Sequence, residues 1–143
     1  MRDLVLVDAV GIDVPGHPVA DFFALSFPEI AQLSYADPDR FWVDPSALPP
    51  AAQAAMAGNR ATLAVYAGAG MTDPSLRARL TAIDVPTVVV WGEADRIVDV
   101  EVGRAFAAGI PGARFELLEQ TGHLPQLESP DRLLTVLAPV LQA

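Results

Sequence analysis

Apolar residues are distributed along this chain in two ways, and the change from one to the other divides it. LVLVDAVG, Leu4 to Gly11, places four apolar residues in a row before its first carboxylate. TVVVWG, Thr87 to Gly92, has the same form and follows Pro86; ARFELLE, Ala113 to Glu119, follows the turn pair Pro111-Gly112. The first two runs predict strands covered on both faces, as in parallel sheets, and the third is a further strand candidate. Between and after the last two runs the apolar positions recur at helical spacing. Val102, Ala105 and Phe106 follow Asp99, a residue suited to cap a helix, and Gly109 is a natural stop. Leu133, Leu134, Leu137 and Val140 follow Ser129-Pro130-Asp131, which reads as a cap, a first-turn proline and an acid at the positive end of the helix dipole. Strand, helix, strand, loop, helix is an alternating α/β order with right-handed crossovers.

Residues 15–83 do not follow this pattern. No strand of the same quality occurs there. Helical candidates cover 19–24, 29–34, 50–67 (with Gly58 as a point of weakness) and 74–82, punctuated by prolines and by DP, PP and GAG signals. The segment also holds most of the aromatics: Phe22, Phe23, Phe27, Tyr35, Phe41, Trp42 and Tyr66. The expected organisation is a first core strand and its exit over 1–14, a helical insertion over 15–83, and an α/β portion over 84–143. An insertion leaving the carboxyl edge of a sheet is placed to act as a lid; its aromatics suit equally well a small core of its own. Three strands make a poor parallel sheet, and Leu4 to Val7 expects a further neighbour and a covering helix. The pattern therefore reads as one part of a larger α/β domain.

Charge and cysteine content narrow the function. The net charge is -9 and all nine basic residues are scattered arginines, which disfavours nucleic acid as a partner. The absence of cysteine excludes disulfides, thiol catalysis and cysteine-ligated metal. The apolar run at the N-terminus is too short for a signal peptide core or a membrane span, and a cytoplasmic address is expected. Two histidines give no metal cluster of familiar spacing, no glycine-rich phosphate loop follows a strand, and no cofactor or metal is expected.

In open α/β sheets ligands bind beyond the carboxyl ends of the strands. Asp95 falls just there, after the strand ending at Trp91 and Gly92, and His123 falls just after the strand ending near Glu119. A carboxylate on one imidazole nitrogen fixes the tautomer and supports the imidazolium, leaving the other nitrogen as a base. The plainer alternative is a turn-capping Asp95 and an ordinary loop histidine at 123; spacing alone does not choose. His17, in GHP, reads as part of a turn. None of the five serines, Ser26, Ser34, Ser46, Ser75 and Ser129, sits in the G-x-S-x-G elbow of a strained strand-to-helix turn.

The paired segments VPTVVVWGEADRIV and GHLP, in this order and separation, resemble the C-terminal half of an α/β-hydrolase fold protein, of the esterase, lipase and carbon–carbon bond hydrolase superfamily. LVLVDAVG is similar to that family's sixth strand, the insertion to its helical cap, and PGARFELLEQTGHLPQLESPDRL to its eighth strand, histidine loop and last helix. The resemblance covers essentially the whole chain. It implies a partial α/β-hydrolase fold, with C-terminal parallel strands and an inserted cap. It also implies Asp95 as the acid that orients His123, and His123 as the general base of a Ser-His-Asp triad. The nucleophile elbow and oxyanion hole of that family lie on segments this chain does not contain, so activity of the chain alone is not expected. Some branches place an acid at the end of the sixth strand, where Asp8 stands; here Asp95 fits better, and Asp8 is expected to bond backbone at the cap entrance. An aromatic cap implies a small apolar or aromatic acyl substrate, with Phe22, Phe23, Phe27, Tyr66, Met71, Trp91 and Leu124 as candidate pocket residues. The expected assembly is a homodimer, or a complex with an N-terminal hydrolase segment, joined at the first strand. The alternative from another class is a non-catalytic ligand-binding or interaction protein built on the same fold.

Overall fold

A computed structural model describes residues 2–68 and 70–141. Three strands, β1 (Leu4–Val7), β2 (Thr87–Gly92) and β3 (Arg114–Leu118), form one parallel sheet in the order β1-β2-β3. Val7 pairs with Val90, and Trp91 with Leu117. β2 is central, and all six of its residues are buried, as its unbroken apolar run requires.

The alternation of β2 feeds two cores. On one face Val89 and Trp91 pack with Ile12, Leu80, Val98, Val102, Phe106 and Ile110. This face is covered by α5 (Val100–Gly109), which begins at Asp99, whose side chain accepts the Glu101 N–H. On the other, Val88, Val90 and Leu118 pack with Leu133 and with Val136, Leu137 and Val140 of α7 (Pro130–Leu141). Gly103 lets α5 close on the sheet: a Cβ there would lie 2.4 Å from the Trp91 ring.

β1 is shorter than its apolar run suggested. It stops at Val7 because Asp8 turns the chain with φ of 43°, in the left-handed region. Its four residues are only half-buried, and among the described residues it pairs with β2 alone.

The insertion contains α1 (Phe27–Ser34), a short α2 (Pro38–Phe41), the long α3 (Pro50–Ala67), and a one-turn α4 (Leu76–Arg79) that tightens into a 3₁₀ turn at Leu80–Ala82. Ser26 and Glu29 form a capping box at the start of α1. The expected helix over 19–24 is absent. Asp21 accepts the Ala24 N–H in a side-chain turn, and the Ala20 N–H is drawn away to the Ile97 carbonyl. α3 runs through Gly58 without a break, since one exposed glycine costs a helix only about 1 kcal/mol. A further short helix, α6 (Pro125–Glu128), follows the histidine loop. Among the described residues no helix is long and apolar enough to cross a membrane.

Candidate active site

The carboxyl ends of β2 and β3 are tied by backbone before any side chain is considered. Glu93 N–H donates to the Leu118 carbonyl, and Ala94 N–H to that of Thr121. The Glu93 carboxylate accepts the Gln120 N–H. Gly92 is what allows this approach, because a Cβ there would fall 2.1 Å from the Gly122 carbonyl oxygen.

The join brings Asp95 and His123 together. Asp95 Oδ2 lies 2.8 Å from His123 Nδ1, with the acid side chain fully buried and the imidazole 24% exposed. Asp95 Oδ1 accepts the N–H groups of Ile97 and Val98, at 2.8 and 3.0 Å. The carboxylate is thus held by three donors, and its second oxygen is aimed at the ring. Burial pulls the His123 pKa down, but the hydrogen bond and charge of Asp95, reinforced by the charge of Asp8, outweigh it, and the net shift is upward. Nε2 makes no hydrogen bond among the described residues. The capping role that sequence allowed Asp95 is also present, on its other oxygen: one carboxylate closes its own loop and orients the ring.

The first helix of the insertion supports the histidine loop from below. His123 N–H donates to the Ser34 carbonyl at 2.6 Å, and Arg96 N–H to that of Leu33. The Arg96 guanidinium donates to the carbonyls of Gln32 and Tyr35. Glu128 bridges the two sides: Oε2 accepts the Gly122 N–H at 2.6 Å and Oε1 the Ala36 N–H at 2.8 Å. Gly122 is required here, since a Cβ would lie 2.1 Å from the Ser34 carbonyl oxygen. Sequence reading missed Glu128 and the Ser34 carbonyl. Neither belongs to a periodic pattern, and a backbone acceptor leaves no mark in side-chain identity. The charges after β2 therefore have separate tasks. Glu93 ties β3, Asp95 orients His123, and Arg96 grips α1.

The other candidates scatter. Phe22, Phe23 and Phe27 lie against α3 and line shallow clefts there, of which one of about 430 Å³ is bounded by Phe27, Trp42, Asp44 and Met56. Neither Asp95 nor His123 borders these clefts. Trp91 does not reach a pocket: it is fully buried under α5, with its Nε1–H donated to the Val98 carbonyl. Met71 is likewise buried, Tyr66 is 85% exposed on α3, and Leu124 is half-buried beside His123. His17 pairs with Asp99 at 3.1 Å, away from Asp95. Among the described residues no group of three or more His, Asp or Glu could hold a metal ion.

Residues 1–136 match the alpha/beta hydrolase family. The chain belongs to that family. It is 43% identical over 51 residues to a 2-hydroxy-6-oxononadienedioate/2-hydroxy-6-oxononatrienedioate hydrolase of Cupriavidus pinatubonensis, an alignment covering 36% of this chain and 18% of the relative. It is 34% identical over 67 residues to a monoacylglycerol lipase of Bos taurus, covering 47% of this chain and 20% of that one. Its fold superposes on a thermophilic esterase from Thermogutta terrifontis with a TM-score of 0.67 at 22% identity, covering 98% of this chain and 55% of the esterase. The chain thus aligns with about a fifth of the curated relatives' length and about half of the solved fold.

Proposed function

We propose that this chain supplies the acid, the base and the cap of an α/β-fold hydrolase that cleaves a small apolar substrate at an ester or carbon–carbon bond. The observation that carries the reading is the 2.8 Å contact between a fully buried Asp95 and Nδ1 of His123, which leaves Nε2 without a partner among the described residues. The nucleophile, a serine in this reading, comes from outside residues 1–143. His123 Nε2 takes the hydroxyl proton as the serine oxygen bonds to the acyl carbon. Asp95 stabilises the imidazolium so formed. The imidazolium then returns the proton to the leaving oxygen as the ester bond breaks, and a water molecule, activated the same way, releases the acyl group. Residues 1–14 and 84–143 form the catalytic core in this scheme, and 15–83 the cap.

The cap favours an uncharged substrate. Its one long-helix cation, Arg60, is already committed. It donates to the carbonyls of Phe22, Phe23 and Leu25, each at 2.9 Å, and stacks over the rings of Phe22 and Phe27. Phe22, Phe23, Phe27 and Leu124 remain the substrate contacts of this proposal, with the open side of β1 receiving the N-terminal segment or a second copy.

The test is reconstitution with the N-terminal segment of a hydrolase of this family, followed by assay on a panel of p-nitrophenyl esters. Activity is expected, and His123→Ala should lower kcat by about 10³-fold or more. Activity that survives this substitution would remove His123 from the base role, and a folded, inert complex would sink the ester reading. Clefts in the cap that His123 does not border favour a second reading, apolar ligand binding without turnover. Binding by the inert complex would support it.

A further inference from the structure

Asp8 is the one buried ionisable group near the site that the scheme above leaves without work. It follows β1, is 5% exposed, and holds φ of 43°, a conformation that aspartate tolerates better than most residues. Its own N–H donates to the Val90 carbonyl, which continues the ladder by one rung, and its Oδ1 accepts the Gly92 N–H at 2.8 Å. Its Oδ2 is buried and receives no hydrogen bond. The Asp95 carboxyl neighbours Asp8 and acts on it both by charge and as a side-chain hydrogen-bond partner.

Two carboxylates in contact in a dry site do not both ionise. The donors decide which one keeps the proton. Asp95 is served by the Ile97 and Val98 N–H groups and by the imidazole, whereas Asp8 is served by Gly92 alone. A charged Asp8 would leave one oxygen buried without a donor, the costlier arrangement. A neutral Asp8 turns the orphaned oxygen into a donor with an acceptor in front of it.

We propose that Asp8 is a positioning residue that carries its own proton in the folded chain, accepting the Gly92 N–H on Oδ1 and donating from Oδ2 to the Asp95 carboxylate. This arrangement gives Asp95 a further donor and keeps a second negative charge away from the imidazole. The titratable groups that act on Asp8 are Asp95, from the loop after β2, and His123, from the loop after β3. Burial is the main reason its pKa rises to about 7; the Gly92 N–H opposes the rise, the Asp95 charge adds to it, and His123 opposes it. When Asp8 does lose its proton, its charge favours the imidazolium of His123, so these two titrations are linked.

The part Asp8 plays in catalysis rests on the hydrolase reading; the location of the proton does not. The experiment is therefore a titration without turnover. Carboxyl ¹³C and imidazole ¹⁵N resonances are followed by NMR from about pH 5 to about pH 9 in the chain and in Asp8→Asn. The Asp8 carboxyl, assigned through its backbone, should ionise with a midpoint near the value of about 7 given by its surroundings. Asp8→Asn keeps an acceptor for Gly92 and a donor for Asp95 but never gains charge, so the His123 midpoint should move down. A carboxylate that only anchored Gly92 would show no ionisation step in this range. An Asp8 carboxyl already ionised at the acid end overturns the proposal. If Asp8→Asn does not fold, the carboxyl curve of the unmodified chain decides alone. Failure of the esterase assay would leave these curves untouched, so the two readings fail separately.

Discussion

β2 and α3 are both apolar in composition, yet every residue of β2 is buried and none of the eighteen residues of α3 is. The strand is gripped on both faces by α5 and α7. The helix rests on the insertion through Met56 and Arg60 and turns Leu63, Val65 and Tyr66 outward. Burial holds one region; a few polar pins hold the other. The contrast matters for chemistry because Asp95 and His123 belong to the first region by sequence but are fastened to the insertion by Ser34, Arg96 and Glu128.

The largest effect should come from the buried side. Trp91→Ala removes a fully buried ring packed on Gly103 and Phe106 and should cost about 3–5 kcal/mol, read as a drop in the urea midpoint. A loss under about 1 kcal/mol would show that α5 collapses into the gap and that this face is less tightly packed than the contact implies. Next is the pH dependence of stability. Asp8 has a folded pKa of about 7 against 3.8 for the free side chain, so between those values the folded chain holds a proton that the unfolded chain has released. Its contribution is full below the lower value and is lost as pH rises through the upper one. The raised pKa of His123 works in the same direction. Stability should therefore fall from mildly acidic to mildly basic pH, by on the order of 2–4 kcal/mol for Asp8, at about 1.4 kcal/mol per unit. Denaturation curves for Asp8→Asn should show a flatter slope, and an unchanged slope would place the effect elsewhere.

Smaller changes belong to the insertion. Arg60→Met leaves the carbonyls of Phe22, Phe23 and Leu25 without their shared donor and should cost about 1–2 kcal/mol. Limited proteolysis should then cut first within Phe22–Leu25 or α3; a cleavage pattern like that of the parent chain would argue against Arg60 as a pin. Tyr66→Ala, on the exposed side of α3, should stay within about 0.5 kcal/mol by thermal melting. A larger loss would mean that this side of the helix is covered in solution.

How much of this was legible in the sequence follows the same division. β2, α5 and α7 announced themselves because burial of β2 on both faces writes a long apolar run and clean helical spacing around it; β3, of which only Leu118 is buried, was marked by the turn pair before it. Asp95 and His123 were found by where those strands end, and their contact depends on backbone ties that Gly92 and Gly122 permit. In the insertion, helix 50–67 was visible, but 19–24 was misread because Asp21 bonds locally and Ile97 captures the Ala20 N–H, a contact 77 residues away in sequence. Trp91 looked like pocket lining because an aromatic at a strand end fits that role; only the approach of α5 over Gly103 shows it buried. Asp8 was read as a backbone-bonding residue, which its bond to Gly92 matches, but its unsatisfied oxygen could not be foreseen without the neighbouring strand.

The three carbonyls bound by Arg60 also have a mechanical meaning. α1 is bolted to the histidine loop through Ser34 and Glu128, and on the return path Asp73 N–H is fixed to the Gly11 carbonyl. Arg60, on α3 between these two anchors, holds the carbonyls of Phe22, Phe23 and Leu25 and so ties the exposed helix to the segment that precedes α1.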